Sequence, residues 1–177
     1  MILFSSTFTN GLAQNVITKS GKLEIYSETA LFNMYGINTK VASILNPKNG
    51  EIIISTLIRS FRFKEAIVEE HFVEKYINPN QFPKAIFKGE IQDIQHLPLY
   101  QDGQFPVIIS GTLSFHNIIQ EISENGTLFV HNGQLSLALN FELSLKDYNV
   151  VLGTLHSSTV NNKINIKAQF NYVPKNY

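Results

Sequence analysis

Three stretches of the chain alternate between apolar and polar residues, which is the pattern of β-strands that bury one face. In the clearest stretch, the odd-numbered residues from Leu135 to Leu143 are apolar and most of the residues between them are polar. The same alternation runs through 107–115 and 164–172. Weaker strand patterns occupy 22–26, 39–45, 51–63, 84–91 and 126–131. Together these segments predict antiparallel strands with one solvated face and one buried face.

Short turns separate the predicted strands. Dipeptides favoured in tight hairpins, or similar to them, occur at Asn49-Gly50, Asp102-Gly103, His116-Asn117, Asn125-Gly126 and Asn132-Gly133. Such regular spacing predicts one antiparallel sheet that closes or sandwiches, because parallel strands would need longer helical crossovers. No linker or internal repeat divides the chain.

One segment, 64–77, breaks the strand pattern and predicts an amphipathic helix. Its apolar residues can share one helical face, while Glu65, Glu69, Glu70 and Lys75 point away from it. The residues of the apolar face are Ala66, Phe72, Val73, Tyr76 and Ile77. Two prolines, Pro79 and Pro83, follow the helix. If the predicted sheet closes into a barrel, this helix would cover one end of it. The helix would act either as a plug or with its aromatic face turned to a ligand cavity, and these roles are compatible.

Composition narrows the class of protein. A chain of 177 residues with 44% apolar residues is the size of one globular domain. Because Lys plus Arg and Asp plus Glu each number 14, nucleic acid and an anionic membrane surface are poor candidates for partners. The absence of cysteine excludes disulfides, thiolate metal sites and a cysteine nucleophile.

The first fourteen residues are the only targeting evidence, and we place the domain at 15–177. Gly11 and Ala13 are small residues placed as a signal peptidase prefers, but no Lys or Arg precedes them. Residues 1–14 are therefore either a disordered tail or the remnant of an export signal. No later stretch approaches the ~18 consecutive apolar residues of a membrane-spanning helix.

Candidate chemistry is sparse. The five histidines show no metal-ligand spacing, and no nucleophile elbow, phosphate loop or dinucleotide motif occurs. We therefore predict no metal, no cofactor and no enzymatic activity. Acidic residues fall at loop edges or on predicted outward faces, at Glu51, Glu90, Asp93, Glu121, Glu124, Glu142 and Asp147. A minority hypothesis, a hydrolase or isomerase using His71 or His116, would need a carboxylate within hydrogen-bond reach.

Aromatic residues are abundant, with 13 Phe and 7 Tyr, many on predicted inward faces. They would either fill the core or line a cavity, because a barrel of about eight strands encloses packed side chains or one small ligand. An apolar ligand chain would bind in such a cavity because its burial is favourable, by roughly 25 cal/mol of free energy per Å² of apolar surface removed from water.

Several motifs resemble one known family. The runs 60–63, 70–72, 82–89 and 111–116, with the segment 147–164, are similar to the YceI-like family of lipocalin-like lipid-binding proteins. The resemblance implies an all-β fold, an extended antiparallel lipocalin-like β-barrel of about eight strands with one short helix covering an end. It also implies binding of isoprenoid chains such as polyprenyl lipids or isoprenoid quinones, and no catalysis. Many relatives are exported, which favours a periplasmic or secreted location.

These observations lead to one main hypothesis and one rival. The main hypothesis is a non-enzymatic carrier or store of an isoprenoid or fatty lipid. Its predicted cavity residues are Phe61, Phe63, Phe72, Tyr76, Phe87, Leu113, Leu137 and Phe141. Phe72 and Tyr76 would act from the helix as a lid. The rival is an extracellular interaction module with a packed barrel, which binds protein or carbohydrate through an exposed aromatic patch. A homodimer is compatible with either, although no particular residue predicts it.

Overall fold

The computed structural model describes residues 14–28, 33–65, 77–150 and 163–175. These residues form one antiparallel sheet of ten strands. The strands are β1 (Val16–Glu28), β2 (Asn33–Leu45), β3 (Glu51–Leu57), β4 (Arg62–Phe63), β5 (Lys84–Ile91), β6 (Gly103–Phe115), β7 (Ile118–His131), β8 (Gln134–Ser144), β9 (Lys163–Asn171) and β10 (Val173–Pro174). Short 3₁₀ turns occupy Ile58–Ser60, Ile94–His96 and Leu145–Tyr148. Among the described residues, no helix is long and apolar enough to cross a membrane.

The sheet closes into a barrel. Eight long strands follow the order β1-β9-β8-β7-β6-β5-β3-β2, and β2 pairs with β1 to complete the circle. The short strands β4 and β10 add to β2 and β1. The predicted all-β antiparallel barrel of about eight strands is therefore confirmed. Most of the predicted helix, residues 66–76, lies outside the described residues and stays a prediction.

Two of the predicted hairpin turns have the backbone that the sequence indicates. His116 and Asn117 have φ values of 52° and 61°, and Asn132 and Gly133 have values of 49° and 73°. Both pairs join adjacent strands with two residues of positive φ, which matches the right-handed twist of the strands. Gly50, with φ of 81°, ends the turn between β2 and β3.

Two other turn predictions are wrong. Asn125-Gly126 lies within β7, where Gly126 pairs with Val107 on one side and Leu139 on the other. Glycine makes room there for close packing, because a Cβ would lie 2.8 Å from Ile109 Cδ1 and 3.0 Å from the Ala138 carbonyl oxygen. Asp102-Gly103 is not a hairpin turn either. Asp102 is the last residue of the loop 92–102, which connects β5 to β6, and Gly103 is the first residue of β6.

One predicted strand is divided in two. Residues 51–63 form β3, then the 3₁₀ turn Ile58–Ser60, then β4. The backbone N–H of Ile58 donates a hydrogen bond to the Pro83 carbonyl oxygen at 2.9 Å, which fixes the start of this turn. β4 then pairs with β2 instead of continuing along β5. As a result, Phe61 and Phe63 do not continue the line of β3, and both line the interior of the barrel.

The interior contains two apolar clusters, one toward each end of the barrel. At the first, which we call the packed end, Leu45, Ile52 and Leu137 are fully buried. Ile94, from the loop after β5, is also fully buried there and caps the barrel. The packed end therefore behaves as an ordinary close-packed protein core.

The second cluster lies at the opposite end, which we call the cavity end. It includes Ile58, Phe61, Phe115 and Tyr148, all buried. Leu113 is one of the partly buried residues that pack against both clusters and connect them.

The Tyr148 hydroxyl is a polar group without a partner in the apolar cavity end. It is buried and has no hydrogen bond among the described residues, while its ring packs 5.5 Å from that of Phe115. Burial, with a smaller contribution from the Asp147 charge, raises the pKa of Tyr148 to about 12. Such an unsatisfied hydroxyl costs free energy in the folded state.

We expect Tyr148→Phe to raise the free energy of unfolding by about 1 kcal/mol, because it removes this unsatisfied group and keeps the ring. Tyr172→Phe is the matched control, since the Tyr172 hydroxyl lies 2.9 Å from Ser43 Oγ in the packed end. The control should lower stability by about 1 kcal/mol. Urea denaturation measures both values, and a loss of stability in Tyr148→Phe would contradict the assignment.

Candidate functional site

An apolar cavity of about 150 Å³ lies inside the barrel, with walls drawn from both clusters. Five of the residues predicted from the sequence line it: Phe61, Phe63, Phe87, Leu113 and Phe141. Further lining residues that were not predicted include Leu23, Ile25, Ile54, Ile109, Ile122, Leu139, Leu143 and Ile166. The site is therefore a narrow apolar space.

Strand pairing brings the lining residues together. Phe87 of β5 lies directly opposite Leu113 of β6. On the other side of the barrel, Ile166 of β9 pairs with Ile25 of β1 and with Phe141 of β8. Because side chains alternate across each strand, every paired set points to the same inner face.

Aromatic rings form part of the cavity end. The Phe61 and Phe63 ring centroids lie 6.3 Å apart. The Phe63 ring also lies over Gly36 of β2, where a Cβ would come within 2.6 Å of its Cε1 atom. Glycine at position 36 thus lets the Phe63 ring lie flat against the strand and remain in the cavity wall.

Three predicted site residues are not placed in the cavity wall. Leu137 is fully buried, packs in the packed-end cluster and does not line the cavity. The alternating pattern of β8 correctly predicts that Leu137 points inward. Leu137 lies near the β7–β8 hairpin, however, where it pairs with Leu128. Phe72 and Tyr76 lie outside the described residues, so the lid stays a prediction.

Among the described residues, β7 and β8 pair with each other over only part of their length. Their ladder of paired residues starts at the hairpin that joins them and ends at the pair Gly126–Leu139. Both strands nevertheless continue, β7 alongside β6 and β8 alongside β9. Within the described residues, 118–125 and 140–144 therefore do not pair with each other. We call this break in the wall the lateral gap.

Side-chain contacts close the far end of the lateral gap. The Gln120 side-chain amide donates a hydrogen bond to the Asp147 carbonyl oxygen at 3.2 Å. His116 Nδ1 lies 2.9 Å from the Tyr148 carbonyl oxygen. The gap is thus bounded by these contacts at one end and by the Gly126–Leu139 pair at the other.

Some of the inward side chains beside the gap are partly exposed. Leu128, beyond the Gly126–Leu139 pair, is fully buried, whereas Ile122, Glu124 and Phe141 line the cavity and are half-buried. Leu143, also beside the gap, is buried, and Leu23 and Ile54, which lie on other strands, are half-buried. Partial exposure of the lining is therefore not confined to the gap.

Glu124 is a site residue that the sequence analysis assigned to the outside. It belongs to the inward face of β7, in register with Ile122 and Gly126, and lines the cavity. Burial raises the pKa of its carboxyl above the usual value of 4.5. The even-numbered apolar residues of β7 carry the signal that would have revealed its orientation. The incorrect turn at Asn125-Gly126 hid that register.

His116 does not have the position or the partner that the enzyme hypothesis needs. His116 is at the β6–β7 turn, outside the cavity wall, and packs 3.9 Å from the Phe82 ring. Its nitrogen contact is a backbone carbonyl, not the carboxylate that the enzyme hypothesis needs. His71 is outside the described residues. Within the described ranges, no three His, Asp or Glu side chains are grouped to hold a metal ion.

The described surface bears on the rival hypothesis of an exposed aromatic patch. The most exposed aromatic residues are Tyr35 at 42% and Tyr100 at 82%. Tyr35 lies on β2 near the cavity end, and Tyr100 lies in the 92–102 loop at the packed end. The two therefore do not form a contiguous patch.

Comparison with known protein families identifies a family model that matches this chain. A family model for the YceI-like domain matches residues 14–172, nearly the whole chain. The chain belongs to the YceI-like family. A search of curated proteins finds no match to it.

Solved structures share this YceI-like fold at low sequence identity. A polyisoprenoid binding domain from Saccharophagus degradans, implicated in plant cell wall breakdown, is 12% identical with a TM-score of 0.76. The similarity covers 93% of this chain and 100% of that one. Burkholderia cenocepacia BcnA is 15% identical with a TM-score of 0.69, over 86% of this chain and 96% of that one. The Campylobacter jejuni YCEI protein is 12% identical, with a TM-score of 0.58 over 80% and 85%.

Proposed function

We propose that this protein binds an apolar, chain-shaped lipid of the isoprenoid class in its cavity and carries or stores it without chemical change. The observation that carries the proposal is the cavity itself, whose lining is almost wholly aliphatic and aromatic. Burial of an apolar chain there would stabilise the complex by roughly 25 cal/mol per Å². The polyisoprenoid binding domain of Saccharophagus degradans, which has the same fold, supports the choice of ligand class.

Cavity size determines how such a ligand would fit. A space of about 150 Å³ is comparable with cavities that take one benzene ring. A polyprenyl chain is much longer, so it must displace lining side chains or extend out through an opening. Leu113, Ile122 and Phe141 line the cavity and are only half-buried, so we expect these side chains to be among those that a ligand displaces. The lateral gap gives the remaining chain a route to solvent.

The lining also favours binding over catalysis. Among the described lining residues, Glu124 is the only ionisable group, and Thr56 supplies the only hydroxyl. The Thr56 hydroxyl accepts a hydrogen bond from the buried Asn38 side-chain amide at 2.9 Å. Neither group has a base or acid partner of the kind that covalent or proton-transfer catalysis uses.

Export of the protein to the periplasm or beyond stays a prediction from residues 1–14.

The first experiment is native mass spectrometry of protein purified from its own host, followed by organic extraction. We expect one isoprenoid or other long-chain lipid per protein. A delipidated sample should then bind geraniol, farnesol and geranylgeraniol with increasing affinity, and the gain per added unit should fall once the enclosed space is filled. If neither the purified protein nor the delipidated sample carries any of these lipids, the carrier hypothesis is wrong. A surface-binding module would then be the better hypothesis.

A further inference from the structure

An acidic residue faces an otherwise apolar cavity, and the proposed function so far gives it no role. Glu124 lies on β7 between Ile122 and Gly126 on the inward face, and pairs with Ile109 of β6. Continuing the β7–β8 register past the Gly126–Leu139 pair places Glu124 opposite Phe141, across the lateral gap. The carboxylate therefore lies at the edge of the gap, where cavity and solvent meet.

No protein group in the described residues satisfies this carboxylate. Some acidic side chains on the barrel have cationic partners, as Glu142 does with the Lys163 ammonium at 2.6 Å. Glu124 has no hydrogen bond or ion pair to a described residue. Its neighbours on the lining, from β6, β7 and β8, are uncharged. Partial burial of an unpaired carboxylate is unfavourable, so a ligand that supplies a hydrogen-bond donor would gain from meeting it.

We propose that Glu124 binds the polar end of the lipid, and that this end is a neutral hydroxyl or an amine. The proposal rests on the proposed function and adds the class of head group. The apolar chain would occupy the cavity, while its terminal O–H or N–H would donate a hydrogen bond to the Glu124 carboxylate at the lateral gap.

The same geometry disfavours anionic head groups. A phosphate, diphosphate or carboxylate at this position would repel Glu124, and charges interact more strongly near a low-dielectric wall than in water. The described cavity lining contains no Lys or Arg to offset that repulsion, and the nearest cations given by the strand order, Lys22 and Lys167, lie on the outer face of the wall beside the Gly126–Leu139 pair. A hydroxyl has no such penalty, and it can hydrogen-bond to either protonation state of the carboxyl.

Three C20 ligands with related chains test the head-group preference: geranylgeraniol, geranylgeranyl diphosphate and the hydrocarbon phytane. Dissociation constants would be measured for delipidated wild-type protein and for Glu124→Leu. We expect the wild type to prefer the alcohol to the diphosphate by about tenfold or more. The alcohol gains a hydrogen bond to a charged group, which alone corresponds to about that factor, and the diphosphate is repelled. In Glu124→Leu the alcohol should lose that advantage, and phytane should bind at least as tightly as in the wild type.

Matched controls separate charge from hydrogen bonding and from general effects on the barrel. Glu121→Gln changes an exposed acid on the outward face of the same strand and should alter none of the three constants. Glu124→Gln keeps a hydrogen-bonding side chain but removes the charge. It should therefore weaken the discrimination against the diphosphate more than it weakens alcohol binding.

A pH series gives a second readout. The folded-state pKa of Glu124 is raised by burial, so the carboxyl is protonated at low pH and ionised as pH rises through that value. An ionised acceptor binds a hydroxyl more strongly. Affinity for geranylgeraniol should therefore rise several-fold between about pH 4 and about pH 8 in the wild type and stay flat in Glu124→Gln.

The outcomes distinguish the two proposals. If alcohol, diphosphate and phytane bind equally well and Glu124→Leu changes nothing, the role of Glu124 is wrong and the apolar-lipid function stands. A diphosphate that binds more tightly than the alcohol also overturns the role of Glu124. If none of the three binds, both proposals fail.

Discussion

Gly111→Ala is expected to lower the free energy of unfolding by about 3 kcal/mol or more, one of the largest effects that a single methyl group can have in this barrel. Gly111 of β6 pairs with Gly89 of β5, and the two backbones approach closely there. A Cβ on Gly111 would overlap the Lys88 carbonyl oxygen and the Gly89 Cα atom. Both are backbone atoms, so the strands themselves would have to separate.

Thermal unfolding followed by circular dichroism measures this effect, with an expected fall in Tm of roughly 6–12 °C for a domain of this size. Gly133→Asn is the control, because no atom lies within 4 Å of a Cβ at that turn and Asn tolerates its φ of 73°. The control should lower the free energy of unfolding by no more than about 1 kcal/mol, the strain that a non-glycine residue meets at this positive φ. Equal stability of the two variants would show that β5 and β6 are less closely apposed than described.

Leu113→Trp is expected to lower lipid affinity by about a hundredfold while the barrel stays folded. Leu113 is half-buried and lines the cavity, so a larger ring can enter the space that the ligand needs. The same change at Leu137 should instead lower the free energy of unfolding and leave the lipid affinity of the folded protein unchanged. Leu137 is fully buried in the packed end, where overpacking costs about 3 kcal/mol.

This pair of variants separates cavity from core. Lipid binding would be measured by isothermal titration at a temperature where both variants are folded, and stability by urea denaturation. The wild-type chain contains no tryptophan, so each variant also carries a single fluorophore that reports the polarity of its site. Loss of affinity in folded Leu137→Trp, with normal binding in Leu113→Trp, would relocate the site to the packed end.

The strand pattern was predictable because it depends on local alternation. Period-two sequences such as 135–143 fix which side chains point inward, and the structure has the corresponding strands. Asn-rich turns fixed two of the hairpins because their backbone requirement is also local. The turn at 125–126 failed because Gly126 serves a non-local need, close approach to Ile109 and Leu139.

The site was predictable only in part, since facing inward and facing the cavity are different properties. Leu113 and Leu137 carry the same local pattern, and only the position along the barrel distinguishes them. That position depends on strand registers and on where the 92–102 loop seals one end. Glu124 was missed for a related reason, because a charged residue on an inward face contradicts the simple rule that inward residues are apolar.

The division of the barrel into a packed end and a cavity end has a consequence for how such a protein can evolve. Leu45, Ile52 and Leu137 are fully buried and do not line the cavity, whereas Ile122 and Phe141 line it beside the lateral gap and are only half-buried. Substitutions at the lateral gap can therefore accumulate without the loss of stability that substitutions in a dense core would cause. Such separation would allow this barrel fold to be kept at the 12–15% identity found between this chain and the Saccharophagus degradans and Burkholderia cenocepacia proteins.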